Sequence, residues 1–261
     1  MALRGTPSAV IIIPAYKAAK TLDRTLESAV RSLRHYTDVE KKPLDAEILV
    51  VDDVSPDETP DIVTAWSKRD PAVRLHRNAV NRGPGFSRNE GVRRSTGNFL
   101  FFLDSDDVFY PNHVSECVTA LLEDDSVGYV FTRMKVDMPA MHPDWLHSLD
   151  ESNPINFCLR RVWHDMILGF PEEPDFNTYR TEDTLYRMCL RRLVQHKKIN
   201  VITCEQFVSP GNALDRQKHK FALSMDDWNA SNLDDGFVLT PQMEQVVEAR
   251  LAHVQKLLTR S

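Results

Sequence analysis

The chain has 261 residues, of which 42% are hydrophobic, and a net charge of −6. This length supports one sizeable core or at most two small domains. The acidic balance disfavours a nucleic-acid-binding protein, which more often carries a basic excess. The four cysteines are scattered without the close pairs of a zinc site or a disulfide framework, so we expect a reducing compartment.

The N-terminal stretch MALRGTPSAVIII contains too short an apolar run for a signal peptide. No segment approaches the roughly 18 apolar residues that a membrane-spanning helix needs. We therefore predict a protein without a transmembrane segment. Its predicted location is the cytoplasm, either free or peripheral at a membrane.

Strand and helix patterns alternate along the first 125 residues. Continuous apolar runs predict buried strands, and residues recurring at helical spacing predict the helices between them. The sequence SPDET adds a capping box, with Ser55 as N-cap, Pro56 at the first helical position and Glu58 three residues after the cap. This alternation predicts an α/β fold with a mostly parallel, Rossmann-like sheet flanked by helices. The predicted strands are 9–13, 47–51, 73–78 and 98–103, and the predicted helices begin near residues 21, 55, 84 and 112.

The pattern is looser in the second half. Residues 127–136 and 199–204 predict strands, and 182–195 predict a helix, whereas the Pro-, His- and Trp-rich segment 137–155 suggests irregular structure. Residues 240–259 predict a C-terminal amphipathic helix. Its apolar face could pack on the core, form a homodimer or lie on a membrane, and its few basic residues favour the first two.

Three polar or aromatic features directly follow predicted strands. They are Pro14-Ala15-Tyr16, Asp52-Asp53 and the run from Asp104 to Asp107. In parallel α/β sheets, ligands bind at the carboxyl ends of the strands. Although any one aspartate could simply mark a polar turn, the three together predict a binding site at this edge.

The carboxylates at the end of the fourth strand suit a hard divalent cation. Mg²⁺ and Mn²⁺ prefer oxygen ligands and commonly take one or two protein carboxylates, with waters and substrate phosphates as further ligands. A cation-bound diphosphate is a good leaving group, because the ion absorbs charge as the bond breaks. Taken alone, the same acids also fit caps before the next helix, and Asp107 fits that role best.

Five motifs occur in an order and spacing typical of one enzyme family. They are VIIIPAYKAAKTLDRTLESA, EILVVDDVSPDET, NRGPGFSRNEGVRRSTGNFLFFLDSDD, LRRVWHDMILGFPEE and TEDTLYRMCLR. Over roughly residues 8–215 the chain resembles the family 2 glycosyltransferases, which have the GT-A fold. It departs from the family pattern at Lys17 (usually Asn), Val54 (Gly), Ser87 (Ala), Phe99 (Tyr) and Leu168 (Gly).

The resemblance implies a nucleotide-sugar donor. Pro14, Ala15 and Tyr16 would line the base pocket, and Asp53 would accept a hydrogen bond from uracil N3, supported by Asp52. A carboxylate facing an imide N–H favours uracil or thymine, so UDP-sugars or dTDP-sugars are expected.

The resemblance also implies a metal-dependent site, with Mn²⁺ or Mg²⁺ as cofactor. Taken alone, Arg88 also fits an exposed helix charge and His219 a surface residue. The implied roles are Arg88 behind the nucleotide site, Asp104 and Ser105 at the ribose or donor sugar, and Asp106, Asp107 and His219 at the metal.

The same resemblance assigns Asp183 as the general base. A base near the acceptor hydroxyl takes its proton while the oxygen attacks the anomeric carbon, and one direct displacement inverts that centre. The adjacent Glu182 would point about 100° away on a helix, so only one of the two is expected to be the base. Taken alone, TED also fits an N-cap followed by first-turn acids.

We therefore predict a glycosyltransferase domain over residues 1–236, followed by a C-terminal helix in 237–261. Residues 1–125 would bind the nucleotide, and residues 126–236 a carbohydrate or glycoconjugate acceptor. One alternative is a sugar nucleotidyltransferase, although the glycine-free PAYKAAK disfavours it. Another is a homologue that binds sugar nucleotides without catalysis.

Overall fold

The computed structural model describes residues 6–231 and 240–259, so the predicted domain boundary at 236/237 lies outside the described residues. Within them, eight strands form one sheet in the order β3-β2-β1-β4-β7-β6-β8-β5. The strands are β1 (Ser8–Ala15), β2 (Asp45–Asp52), β3 (Val73–Arg77), β4 (Phe99–Phe102), β5 (Val108–Phe109), β6 (Tyr129–Asp137), β7 (Phe157–Arg160) and β8 (His196–Phe207).

Helices connect these strands and cover both faces of the sheet. A π-helical turn (His35–Val39) extends the first helix, and a 3-10 turn (Pro154–Asn156) precedes β7. The α-helices are α1 (Leu22–Arg34), α2 (Thr59–Arg69), α3 (Gly83–Arg93), α4 (His113–Glu123), α5 (Asp144–Ser152), α6 (Arg161–Met166), α7 (Pro174–Tyr179), α8 (Glu182–Leu193), α9 (Ala213–Arg216), α10 (Lys218–Phe221), α11 (Met225–Ser231) and α12 (Pro241–Leu258).

The sheet is mostly parallel, as predicted. The pairs β1–β2, β1–β4, β2–β3 and β6–β8 are parallel, whereas β4–β7, β6–β7 and β5–β8 are antiparallel. Parallel pairing needs long crossover connections, and α1, α2 and α3 provide them. The carboxyl ends of β1, β2 and β4 therefore lie together at one edge.

The hydrophobic core lies on both faces of the sheet. Side chains alternate along β1, so that Ile11 and Ile13 pack with α1 and α4, whereas Val10 and Ile12 pack on the opposite face. A strand that is buried on both faces must be apolar at every position, which explains the unbroken run in β1.

The second helix begins later than the capping box predicts, and that prediction is wrong. Helix α2 begins at Thr59. The Ser55 hydroxyl instead accepts a hydrogen bond from the Lys17 N–H (3.0 Å). Asp57 takes the capping contacts, accepting from the N–H (3.3 Å) and hydroxyl (2.6 Å) of Thr59. The polar loop is therefore used to join β1 to β2 before the helix starts.

Part of the segment predicted as irregular is helical, because α5 lies inside it. Tertiary contacts stabilise this helix. Asp150 accepts from the Met134 N–H (2.9 Å) of β6, and the buried Trp145 donates to the Leu223 carbonyl (2.8 Å). The local amino-acid composition does not indicate such contacts, so the sequence analysis did not predict α5.

The predicted C-terminal helix is confirmed as α12, with Thr240 as its N-cap. Its apolar side, carrying Met243, Val247 and Leu251, is buried in the same cluster as Leu185 and Leu190 of α8. The apolar face thus packs on the core of the same chain, and dimerisation through this helix stays a prediction. Over the two described ranges, no helix combines the length and apolar character needed to cross a bilayer.

Candidate active site

The three predicted features meet at the carboxyl edge of the sheet. Ala15 and Asp52 are partners in the β1–β2 register, and the Asp53 N–H donates to the Ala15 carbonyl (2.8 Å). The Leu103 N–H donates to the Ile12 carbonyl (3.0 Å), which places residues 104–107 directly beyond β4. The strand ends therefore bring two groups of aspartates to one rim.

We call the first group, Asp52 and Asp53, the strand-2 corner. Asp53 is only 3% exposed. Its carboxylate accepts from the Asn78 side-chain amide (2.8 Å) and from the N–H groups of Arg82 (3.1 Å) and Gly83 (2.7 Å). The predicted base-binding carboxylate thus also holds the loop that leads into α3.

Asp52 is fully buried in the strand-2 corner. It accepts from the Ser55 N–H (3.1 Å) and lies 3.2 Å from the Arg77 guanidinium. The Ser55 N–H and the Arg77 guanidinium therefore compensate the negative charge of Asp52. Pro14 and Ala15 are buried, whereas Tyr16 is 48% exposed beside this corner, and the Lys17 ammonium lies 5.2 Å from the centroid of its ring.

The second group lines a cavity of about 520 Å³. Asp104, Asp106 and Asp107 line it from the β4 end, and Asp183 lines it from α8. The structure thus brings together carboxylates separated by more than 70 residues in sequence. We call this the acidic cavity.

Helix α1 holds the backbone of the loop that carries these aspartates. The Thr21 hydroxyl donates to the Ser105 carbonyl (2.8 Å), the Thr25 hydroxyl to the Asp107 carbonyl (2.9 Å), and Arg24 to the Asp106 carbonyl (2.7 Å). Ser105 does not line the acidic cavity. Fixing the backbone in this way fixes the directions in which the carboxylates point.

Asp106 and Asp107 differ in how they are held. Asp107 is 1% exposed and accepts from the Phe207 N–H (2.9 Å) of β8, whereas Asp106 accepts from the Asn212 side-chain amide (3.2 Å). Burial, together with repulsion from neighbouring aspartates, raises the pKa of both carboxyls, and that of Asp107 well above its ordinary value. Asp107 therefore ties the loop to β8 and does not cap the next helix, since the N-cap of α4 is Asn112.

The donor set fits a hard divalent cation. Oxygen ligands suit Mg²⁺ and Mn²⁺, and a cation would relieve the repulsion that raises the pKa of Asp106. Across the described residues, no three acidic, histidine or cysteine side chains are placed to share one ion. His219 is exposed on α10 and does not line the cavity, so its ligation stays a prediction.

Arg88 lies beneath the acidic cavity rather than on the surface, so the alternative of an exposed helix charge is wrong. It is 3% exposed, and its guanidinium contacts Asp104 (2.6 Å) and Glu182 (3.2 Å). Burial alone would lower the pKa of Arg88, but these carboxylates raise it above its usual range. Arg88 therefore links the β4 loop to the start of α8.

Glu182 and Asp183 point in different directions, as their adjacency on a helix predicts. Asp183 lines the cavity and accepts from the Thr184 N–H (2.7 Å), whereas Glu182 points to Arg88. Burial raises the pKa of Asp183, and burial and Asp183 together raise the pKa of Glu182 to about 7. The single positive charge of Arg88 thus interacts with three carboxylates, those of Asp104, Glu182 and Asp183.

Two arginines at the cavity are not identified by the sequence analysis. Arg180 and Arg216 line the cavity, and both donate to the Gly211 carbonyl (3.1 and 2.6 Å). Neither forms a salt bridge with a carboxylate of the described residues. The position of Arg180 directly before the TED motif is a signal that could have identified it. We call the two guanidiniums, which line the same cavity as the aspartates, the cationic wall.

Comparison with known proteins assigns a family. Residues 10–170, more than half of the chain, match the sequence model of glycosyl transferase family 2. The chain is 35% identical over 117 residues to the succinoglycan biosynthesis protein ExoO of Rhizobium meliloti, covering 45% of this chain and 30% of that protein. It is 32% identical over 130 residues to the chondroitin synthase of Escherichia coli, covering 50% of this chain and 18% of that protein. The matches thus span less than a third of these two relatives.

Two solved structures have a similar fold. S. aureus TarS residues 1–349 in complex with UDP-GlcNAc has a TM-score of 0.65 at 18% identity, covering 94% of this chain and 72% of that chain. The mannosyltransferase PcManGT of Pyrobaculum calidifontis, in complex with GDP-Man and Mn²⁺, has a TM-score of 0.63 at 18% identity, covering 98% and 75%. Identities this low establish the fold alone, whereas the family match rests on sequence. The chain belongs to glycosyl transferase family 2 and has the GT-A fold.

Proposed function

We propose that the protein is a metal-dependent, inverting glycosyltransferase. It would move a sugar from a UDP-sugar, or a dTDP-sugar, to an acceptor hydroxyl in glycan or glycoconjugate synthesis. The observation that carries this proposal is the convergence of Asp104, Asp106 and Asp183 on one cavity. Family membership and the UDP-GlcNAc complex of the TarS structure support it.

The donor nucleotide would lie across the edge of the sheet. Tyr16 would stack on the base beside Asp53, and Asp104 would contact the ribose or the sugar. Because the PcManGT structure holds GDP-Man in a similar fold, the fold alone does not fix the base. The preference for uracil rests on the strand-2 corner.

The donor diphosphate would lie in the acidic cavity, in contact with the cationic wall. Arg180 and Arg216 would exchange the Gly211 carbonyl for diphosphate oxygens, since charge-assisted hydrogen bonds are stronger than neutral ones. Asp106, with Asp107 beside it, would hold Mn²⁺ or Mg²⁺. When bound, such an ion neutralises negative charge on a diphosphate leaving group.

Asp183 would act as the general base. Its carboxylate faces the cavity, and burial raises its pKa, which brings a carboxyl closer to the range in which a base works well at neutral pH. Asp183 would take the proton of the acceptor hydroxyl as that oxygen attacks the anomeric carbon. Arg88 and Glu182 would hold the start of α8 in place.

The acceptor would enter along the second half of the domain. Asn153, Pro154 and Phe221 line the same cavity and belong to this half. We propose that residues 1–125 bind the nucleotide and the following part of the domain binds a carbohydrate or glycoconjugate. Of the alternatives, the non-catalytic homologue is disfavoured because Asp106 and Asp183 both face the cavity, and the nucleotidyltransferase because the family differs.

A donor panel tests the proposal. Binding of UDP-, dTDP- and GDP-sugars, and their hydrolysis, would be measured with and without Mn²⁺ or Mg²⁺. We expect UDP binding to tighten with metal by about tenfold or more, and Asp106→Ala to remove that effect. Asp61→Ala, an exposed carboxylate on α2, is the matched control and should keep the metal effect. Metal-independent binding of UDP by the wild type would contradict the Asp106 assignment.

A further inference from the structure

One polar side chain at the acidic cavity has no role in the proposed function so far. Gln206 lies near the end of β8, is 7% exposed and lines the cavity. Its amide makes no hydrogen bond to any residue that the structure describes, and its Oε1 atom is buried without a partner. Buried side-chain amides almost always have a partner, so this group is unusual.

The backbone on both sides of Gln206 is fixed. The Phe207 N–H donates to Asp107 (2.9 Å), and the Phe207 carbonyl accepts from the Asn212 side chain (2.8 Å). On the other side, Glu205 and Gln206 themselves pair with Lys135 and Val136 of β6. The position of the Gln206 backbone is therefore well defined, and its side chain lines the cavity.

The amide can offer either a donor or an acceptor to the cavity. A half turn about the last side-chain torsion exchanges the oxygen and the nitrogen with little movement of other atoms, and this torsion has a broad, roughly two-fold profile. A sugar hydroxyl both donates and accepts hydrogen bonds, as an amide does. Leaving a buried amide unpaired is unfavourable, and a hydroxyl in the cavity would remove that penalty.

We infer that Gln206 is a specificity-determining residue that hydrogen-bonds a hydroxyl of a sugar bound in the acidic cavity. This inference rests on the proposed glycosyltransferase function. The residue after Gln206 in β8, Phe207, binds Asp107. Gln206 is therefore close to the proposed metal site, and the hydroxyl that it contacts belongs to a sugar near the reacting atoms. A site that pairs with a hydroxyl discriminates against sugars in which that hydroxyl is missing or inverted.

The test compares the wild type with Gln206→Met, which keeps the length of the side chain and removes the amide. Rates of UDP-sugar hydrolysis would be measured with Mn²⁺ for epimers and deoxy analogues at each hydroxyl of the sugar. Transfer to simple glycosides with the same changes would be measured in parallel. Gln195→Met, an exposed glutamine outside the cavity, is the matched control.

The preference is the ratio of the rate for the sugar with the correct hydroxyl to the rate for its epimer or deoxy analogue. We expect this ratio to be lower in Gln206→Met than in the wild type by about tenfold or more. A fall among donors assigns the hydroxyl to the donor sugar, and a fall among glycosides alone assigns it to the acceptor. Unchanged preferences in both series would overturn the inference. Complete absence of hydrolysis and transfer in the wild type would instead count against the proposed function.

A second variant guards against a folding defect. Gln206→Leu also removes the amide, and both variants should keep or raise the wild-type melting temperature and keep UDP affinity, because the buried amide makes no bond in the protein. Loss of the preference in both variants, with UDP affinity kept, identifies recognition of a hydroxyl. Parallel loss of UDP affinity and melting temperature would mean that Gln206 is structural, and would overturn the inference.

Discussion

The strand-2 corner and the acidic cavity are two groups of aspartates at one edge of the same sheet, and their surroundings differ. Asp52 and Asp53 are compensated by N–H groups, Asn78 and Arg77. In the acidic cavity, one buried guanidinium serves several carboxylates, and the pKa values of Asp106, Asp107 and Asp183 are raised by burial.

The difference shows that an aspartate after a strand can serve either the fold or a ligand. A carboxylate that accepts several N–H hydrogen bonds stabilises the loop that donates them. A carboxylate facing a cavity without enough donors destabilises the protein until a ligand or cation compensates it. Equivalent substitutions in the two groups should therefore have opposite effects on the free energy of unfolding.

The largest expected effect is on catalysis in the acidic cavity. Asp183→Asn removes the proposed base while keeping the size of the side chain, so we expect transfer to fall by about 10²–10⁴-fold. UDP affinity should stay close to that of the wild type, because the proposed partner of Asp183 is the acceptor hydroxyl rather than the base or the diphosphate. Turnover with a competent donor and acceptor and calorimetric titration with UDP would measure the two quantities.

Asp183→Asn also tests whether the two groups of aspartates differ in their effect on the free energy of unfolding. Removing a buried carboxylate with a raised pKa should leave the free energy of unfolding unchanged or increase it. If Asp183→Asn kept near wild-type turnover, the base would lie elsewhere. If it unfolded the protein, Asp183 would belong with the structural aspartates.

The opposite outcome is expected in the strand-2 corner. Asp53→Asn replaces one acceptor oxygen by an NH₂ group that faces the N–H groups of Arg82 and Gly83, so hydrogen bonds are lost and donors oppose each other. We expect the free energy of unfolding to fall by about 1–3 kcal/mol, measured by urea unfolding without nucleotide. Equal stability of Asp53→Asn and the wild type would remove the distinction between the two groups.

The stability of the protein as a function of pH tests the excess negative charge at Glu182, beneath the cavity. The folded-state pKa of Glu182, about 7, lies above its unfolded value, so the native state binds more protons between about pH 4.5 and 7. Stability from this group is therefore present at low pH and is lost as the pH rises through that window. Glu182→Gln should lack this loss.

We expect the difference in unfolding free energy between Glu182→Gln and the wild type to increase in favour of the variant by about 1–3 kcal/mol from pH 5 to pH 8. Thermal and urea unfolding at each pH would measure it. Because both proteins share every other titrating group, the difference reports Glu182 together with its interaction with Asp183. A difference that is constant with pH would mean that Arg88 compensates Glu182 fully.

The smallest effect concerns backbone strain beside the strand-2 corner. Val54 has a φ of 64°, where the family has glycine, and a β-branched residue is strained in that region. Val54→Gly should raise the free energy of unfolding by about 1 kcal/mol, because relief of strain exceeds the added flexibility of the unfolded chain. Val51→Gly, in the adjacent strand, is a control that should destabilise.

Much of the fold was predictable from local pattern. The apolar runs identified β1, β2 and β4, and helical spacing identified α1 and α4, because burial on one or two faces imposes a periodicity on the sequence. The start of α2 was missed because Asp57, rather than Ser55, makes the capping contacts. Helix α5 was missed because contacts from β6 and residue 223 stabilise it.

The sequence predicted several residues of the candidate site, but it did not predict the contacts between them. Asp104, Asp106 and Asp183 were identified, and they do share a cavity. The partnership of Arg88 with Glu182, the cationic wall of Arg180 and Arg216, and the unpaired amide of Gln206 were not predicted. Each of these depends on which side chains from distant elements meet, and no spacing in the sequence records that.

The sequence by itself determined the family, the alternation of strands and helices from β1 to α4, and the presence of aspartates after β2 and β4. These features follow from local periodicity and from short motifs, which a linear chain can carry. Only the tertiary structure decided which aspartates are compensated by the protein and which face a cavity. That outcome depends on the donors that the fold brings within hydrogen-bonding distance from other parts of the chain.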